Sequence, residues 1–300
     1  YHRWVKGHLD PLQARRTGLG ENEMFTTMNT LPENLTLTSW IAEKAVEFLK
    51  YRRDPTKPWF LWVSFSKPHP PLDPPEPYYS MYRHCDIPAP WMGEWATAPE
   101  HERPNAILAK QQGSSVDKMS PELIKEARAA YYGLITQIDY SLGRVFAAIQ
   151  DQGTFDKYQS NDNTLMLFAS DHGDYMGDHH MYAKAELIEG SGHIPFILRL
   201  PRTWKDRVFG VENDALVCNQ DILPTLVKAV GGRVPEKVDG MNLLDVIGGR
   251  TPGREFLIGG QGFNCDRPDD IAWAGILRGP WKYIWYYSDG KEQLFNLDED

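Results

Sequence analysis

Cysteine is scarce: Cys85, Cys218 and Cys265 are the three in 300 residues. An odd, scattered set excludes a disulfide framework and a cysteine-rich zinc module. Positive charge is in the minority, with 32 Lys and Arg against 41 Asp and Glu for a net charge of −9. That balance argues against nucleic acid as a partner, because affinity there rests on neutralising phosphates. Long apolar runs are also missing, and nothing approaches the ~18–20 residues that carry a helix across a bilayer. No membrane span is expected. There is no G-x-G-x-x-G, and Gly248 to Gly253 runs on into Arg254 rather than the Lys and Ser or Thr of a phosphate loop. The G-x-S-x-G elbow of serine hydrolases is absent, and no internal repeat stands out. What remains is an ordinary globular composition, 41% hydrophobic and 24% charged. A chain of this length buries roughly 75% of its unfolded surface, so its core needs no staples. It opens on Tyr1 rather than methionine and ends within a strand-like run, as a segment of a longer protein would.

The patterning alternates helix and strand. From Thr38 to Arg53, residues Trp40, Ile41, Ala45, Phe48 and Leu49 fall on one helical face. Pro58 to Phe65 is a short aromatic and β-branched run, which predicts a buried strand. Residues 67–104 are proline-rich and predict a long irregular excursion, of the kind that usually carries function. Ser120 and Pro121 then supply an N-cap and a first helical position. A stripe of Ile124, Tyr131, Leu134, Ile135, Ile138, Leu142, Val145, Phe146 and Ile149 follows, closed by Gly153. Thr164–Ala169 and Ile194–Leu200 predict two more buried strands, and Asp221–Val230 another helix. Beyond Arg254 the pattern changes to short strands joined by Gly279-Pro280 and by Ser288-Asp289-Gly290-Lys291, an antiparallel meander. The expected fold class is therefore α/β: a mostly parallel central sheet flanked by helices over 1–253, with a small antiparallel subdomain over 254–300.

Ligands of open α/β sheets bind outside the carboxyl ends of the strands. Two predicted strands end in polar clusters. One runs into Lys67-Pro68-His69-Pro70-Pro71, the other into Ser170 to His180, with three aspartates and three histidines between 171 and 180. Asp171 and His172 directly follow a strand, where a carboxylate and an imidazole can share a divalent cation. A helix cap and a solvated histidine are the alternative. The calcium loop of an EF-hand does not fit, because Gly173 and Tyr175 take its ligand positions. Lys184 could meet an anionic substrate oxygen, or be a surface lysine. His69 is held on a stiff proline-flanked backbone, or is a loop histidine without a role. The Trp281–Tyr287 run reads as packing rather than a sugar platform.

These segments resemble the sulfatase family of the alkaline phosphatase superfamily. Ser170-Asp171-His172-Gly173 through Gly177-Asp178-His179 to Lys184 is similar to the family's S-D-H-G-x-x-x-G-D-H signature with its lysine. Phe60 to Pro71 is similar to its strand-then-histidine segment. Glu189 to Phe196 resembles a bacterial arylsulfatase segment, with His193 where arginine is usual. Asp221-Ile222-Leu223-Pro224-Thr225-Leu226 and the ending Trp281 to Phe295 complete the likeness. It implies an alkaline phosphatase-like fold whose first strands precede this chain, and hydrolysis of a small-molecule or carbohydrate sulfate ester. It implies a divalent cation, most commonly calcium with Mg2+, Mn2+ or Zn2+ as alternatives, held in part by Asp171 and His172. Lys184 and His69 would contact the sulfate. The nucleophile would be a formylglycine made within a C/S-x-P/A-x-R motif. None of the cysteines has that sequel, since Cys85 precedes Asp86-Ile87-Pro88, Cys218 precedes Asn219-Gln220-Asp221 and Cys265 precedes Asp266-Arg267-Pro268. The segment alone is thus expected to turn nothing over. A phosphonate monoester hydrolase or phosphodiesterase is the nearest alternative, sharing the G-D-H-H and P-H-P-P segments, and a non-catalytic binder of sulfated glycans is the alternative of another class.

Overall fold

Thr36 and Ser120 each cap a helix, and the two helices dominate the first half of the molecule. In the computed structural model the described residues are all of 1–300 except 9–16, 21, 107–108, 110–112, 185, 263–271, 288 and 300. Cys265 with Asp266-Arg267-Pro268, and Ser288 of the last predicted turn, lie outside them. The chain divides into two compact units, Tyr1–Ala89 with Lys118–Thr164 and Pro90–Asp117 with Leu165–Asp300.

In the first unit, α1 (Leu37–Glu47) begins where Thr36 Oγ1 accepts from Ser39 N and runs on into a π turn, Phe48–Arg52. Helix α2 (Pro121–Gly153) has Ser120 Oγ accepting from Leu123 N, with proline at its first position, as its sequence predicts. Its buried stripe differs from the predicted one. Ala127, Ala130, Gln137, Ser141 and Ala148 face inward with Ile124, Leu134, Val145 and Ile149, whereas Ile135 and Phe146 are exposed. On that inward side Gln137 Nε2 donates to the buried Thr36 Oγ1 at 2.9 Å, among small residues that let α2 lie close to α1. Arg53 and Asp156 form an ion pair at 2.8 Å, both side chains buried, and tie the end of the π turn to the segment after α2. The strand predicted at Pro58–Phe65 carries no sheet ladder among the described residues. Its side chains alternate in the period of an extended chain, but no described segment pairs with it, and Phe60 and Trp62 are 69% and 67% exposed.

In the second unit, β1 (Met166–Ala169) pairs with β2 (Phe196–Arg199) in register Leu167 to Leu198. The pairing is antiparallel, not the parallel arrangement expected. Parallel neighbours need a crossover, usually helical, and the 170–195 connection holds only the single turns Asp178–His180 and Glu189–Gly192. Burial is partial as well, with Phe168 and Ile197 exposed. Helices α3 (Ile222–Ala229) and α4 (Leu243–Ile247) follow. Strands β3 (Leu257–Gln261), β4 (Trp273–Arg278), β5 (Trp281–Tyr286) and β6 (Glu292–Asn296) form the predicted antiparallel meander in chain order. Every second residue of β5 points inward (Lys282, Ile284, Tyr286), and this face does not close on itself. It shares one core with the β1–β2 connection, in which Tyr175, Met181 and Ile188 pack with Trp273, Ile284 and Tyr286. No helix among the described residues is long and apolar enough to cross a membrane.

Candidate active site

The chain leaves β1 at Ala169 and turns at once. Ser170 Oγ donates to His172 O at 2.7 Å, and His172 N donates to Asp171 Oδ1 at 3.0 Å. His172 Nδ1 lies 2.7 Å from the carbonyl of Gly173. A carbonyl can only accept, so Nδ1 carries the proton and Nε2 is left as the lone-pair nitrogen. That is the tautomer of a metal-bound histidine, whose other ring N–H is fixed on a neighbouring oxygen. His172 Nε2 is 3.7 Å from Asp171 Oδ2, and the Asp171 side chain is 87% exposed. The turn stays tight because residue 173 is glycine, since a Cβ there would lie 2.1 Å from the carbonyl of Gly190.

The next stretch is a brace. Asp174 is largely buried, and its Oδ1 accepts from Met176 N and Ala183 N, both at 3.0 Å. Burial lifts its carboxyl above the ordinary range, partly offset by those two N–H groups and by the charge of Lys184. Met176, His179, His180 and Ala183 all have positive φ. Such strain in non-glycine residues is held only by surrounding structure and gathers at functional sites.

The remaining acids and imidazoles of the loop hold the fold. Asp178 Oδ1 accepts from Trp91 N, and His179 N donates to Trp91 O. His179 Nδ1 accepts from Gly93 N, its ring stacks on Trp95 at 4.7 Å, and burial lowers its pKa. His180 Nδ1 is 3.4 Å from Asp117, which also takes a bidentate pair from Arg103. No group of three or more His, Cys, Asp and Glu that could hold a metal occurs among the described residues. Asp171 and His172 make a two-donor set, a hard carboxylate oxygen beside an imidazole nitrogen, which fits a divalent cation completed by other ligands.

His69 belongs to the first unit. Its Nδ1 donates to Pro70 O at 2.9 Å, and the surrounding proline turn is pinned by Lys67, whose Nζ meets Pro71 O at 2.5 Å and Asp73 Oδ1 at 2.6 Å. Sequence reading missed three features of the second unit. Asn219 Nδ2 donates to Ser170 O at 3.0 Å. Asp221, fully buried, receives both guanidinium nitrogens of Arg254. Glu186 is buried two residues beyond Lys184. Tyr286 Oη lies 2.9 Å from Glu186 Oε2 and 2.7 Å from Gln293 Oε1. One hydroxyl proton cannot serve two acceptors, so either a protonated Glu186 or the Gln293 amide turned to present Nε2 supplies the second. Burial pushes the Glu186 carboxyl up to about 8. Further along, Lys282 and His193 overcome the effect of burial on Glu189 and hold it low, pinning that end of the loop to β5.

The family model described as Sulfatase matches residues 13–232. The chain belongs to the sulfatase family. A second model, N-sulphoglucosamine sulphohydrolase, C-terminal, matches residues 177–300. The sulfatase chain is 36% identical over 305 residues to an arylsulfatase of Clostridium perfringens, covering all of this chain and 60% of that protein. It is 32% identical over 233 residues to the multifunctional alkaline phosphatase superfamily protein PehA of Trinickia caryophylli, covering 74% of this chain and 43% of that one. Among solved structures, the phosphonate monoester hydrolase of Agrobacterium radiobacter superposes with a TM-score of 0.79 at 26% identity, covering all of this chain and 62% of that one. The α/β fold is therefore alkaline phosphatase-like, with the antiparallel sheet at its end, and the chain spans about two-fifths to three-fifths of the length of these relatives.

Proposed function

We propose that the complete protein is a sulfuric ester hydrolase acting on an aryl or carbohydrate sulfate. The observation that carries this is the Asp171–His172 pair, two convergent donors at the carboxyl end of β1 with the imidazole locked in its ligating tautomer. Sulfatases use a divalent cation and a formylglycine; the cation would polarise the sulfate oxygens, and the hydrated formylglycine would supply the nucleophile for attack at sulfur. Asp171 and His172 hold the cation, which in this reading is calcium. Lys184 places an ammonium against the sulfate and the leaving-group oxygen, where negative charge grows as the ester bond breaks. His69 carries the second substrate-contact role. Its Nδ1–H is committed to Pro70 O, so Nε2 would be the nitrogen that carries that role. With −9 overall, attraction of a sulfate depends on this local positive charge. Division into 1–253 and 254–300 goes with the same reading.

A second reading is favoured by the 0.79 TM-score to a phosphonate monoester hydrolase. Steady-state rates of the complete protein on an aryl sulfate, an aryl phosphonate monoester and an aryl phosphodiester decide between them. The expected result is the highest kcat/KM on the sulfate, lost with chelator and restored by calcium. A higher kcat/KM on the phosphonate would overturn the sulfatase activity in favour of the second reading.

A further inference from the structure

We infer that Asn219 is a positioning residue that sets the aim of the cation ligands. The inference rests on the reading of Asp171 and His172 as those ligands. The Asp171 side chain is 87% exposed, so packing does not orient it. Its direction is fixed by the backbone of the Ser170–His172 turn. Asn219 grips that turn from outside, with Nδ2 donating to Ser170 O at 3.0 Å and approaching Asp171 O at 3.5 Å.

The grip is only as firm as its base, and the base is rigid. Asn219 opens a helical turn, Asn219–Asp221. Asp221 has no exposed surface and accepts from Cys218 N at 2.9 Å, Met241 N at 2.7 Å and Arg254 at 2.6 and 2.5 Å. Burial raises the Asp221 carboxyl, but Arg254 and the two backbone N–H groups outweigh it and hold the group below its usual range. Gly240 presses on the same turn so closely that a Cβ would lie 1.9 Å from Gln220 O. A second observation points the same way. Asn219 Oδ1 is buried and has no hydrogen-bond partner among the described residues. An unsatisfied buried acceptor costs free energy and asks for an explanation. A donor brought with the cation, such as a water on it, would satisfy that oxygen.

The test is calorimetric titration of the complete, chelator-stripped protein with calcium chloride, alongside its melting temperature in chelator. Asn219→Ala and the near-isosteric Asn219→Leu should raise the calcium Kd about 10–100-fold, the usual effect of losing an outer-shell partner. Their melting temperatures in chelator should stay near that of the unsubstituted protein. Asn219→His, whose Nδ1–H can replace Nδ2, should recover most of the affinity. Raising calcium should restore kcat/KM in Asn219→Ala. A Kd within twofold of the parent for both Ala and Leu overturns the inference. If both unfold in chelator, the His variant decides: parental affinity supports the donor role, and a Kd as poor as that of a ligand knockout overturns it. Asp171→Ala and His172→Ala separate the two readings. Unchanged calcium binding in them removes the cation site itself, whereas lost binding there with intact binding in the Asn219 variants removes only the positioning role.

Discussion

At the scale of single residues, the proposed site separates groups assigned to touch substrate or cation from groups that would keep those in place. Asp171→Ala should abolish aryl sulfate turnover in the complete protein, because it removes one of the carboxylate ligands proposed for the cation. Lys184→Ala should retain the cation and lose about 10²–10³ in kcat, as removal of other oxyanion donors does. Near-parental rates in either variant would remove the assigned role. Glu186 gives a prediction of a different kind. Its pKa moves from 4.5 when unfolded to about 8 when folded. Between those values the folded protein keeps a proton that the unfolded chain has lost. Its contribution is therefore fully present below pH 4.5 and falls away as pH rises through 8. Glu186→Gln should flatten that slope, gaining on the parent by several kcal/mol, up to about 5, from pH 4.5 to 8.5 in urea midpoints. A gain that does not change with pH would show that Glu186 is ionised in the fold.

At the scale of elements, the same distinction sets what a substitution does. Ser120→Ala removes the cap of α2 and should cost about 0.5–2 kcal/mol of stability with kcat and KM unchanged. Gly173→Ala should cost about 1–3 kcal/mol by overpacking against Gly190. Because the strain enters beside His172, it should lower kcat/KM as well, and urea unfolding with steady-state rates distinguishes the two variants. Elements with a local signal were legible in the sequence: α2 from Ser120 and Pro121, and β4–β6 from alternation around Gly279-Pro280. The inward face of α2 was not, because it carries small and polar residues such as Gln137, whose partner Thr36 lies 101 positions away. The direction of β2 was not either, because it depends on what the 170–195 connection does in space. Asp171 and His172 were readable from their place after a strand. Their supports were not, since Asn219 meets Ser170 across 49 positions, Arg254 meets Asp221 across 33, and Tyr286 meets Glu186 across 100. No periodicity records such pairings.

At the scale of the whole molecule, the chain spans 60% of an arylsulfatase relative, and no cysteine in it has the sequel of a formylglycine motif. The 300-residue segment by itself should therefore show no aryl sulfate hydrolysis at any calcium concentration, and measurable turnover would contradict the assignment of the nucleophile to a motif outside it. For the complete protein, calcium at 100 times its Kd should add about 2.7 kcal/mol of stability, read as a rise in melting temperature over the chelated form. The β1–β2 connection and the final meander share the core of Tyr175, Met181, Ile188, Trp273, Ile284 and Tyr286. A premature stop or a proteolytic clip inside β4–β6 would strip packing from the connection that carries Lys184 while leaving the proposed site side chains in the polypeptide. Loss of chemistry from lesions in that sheet would then be a foundation failure, curable by second-site changes that refill the hollow rather than by any repair at the reacting centre.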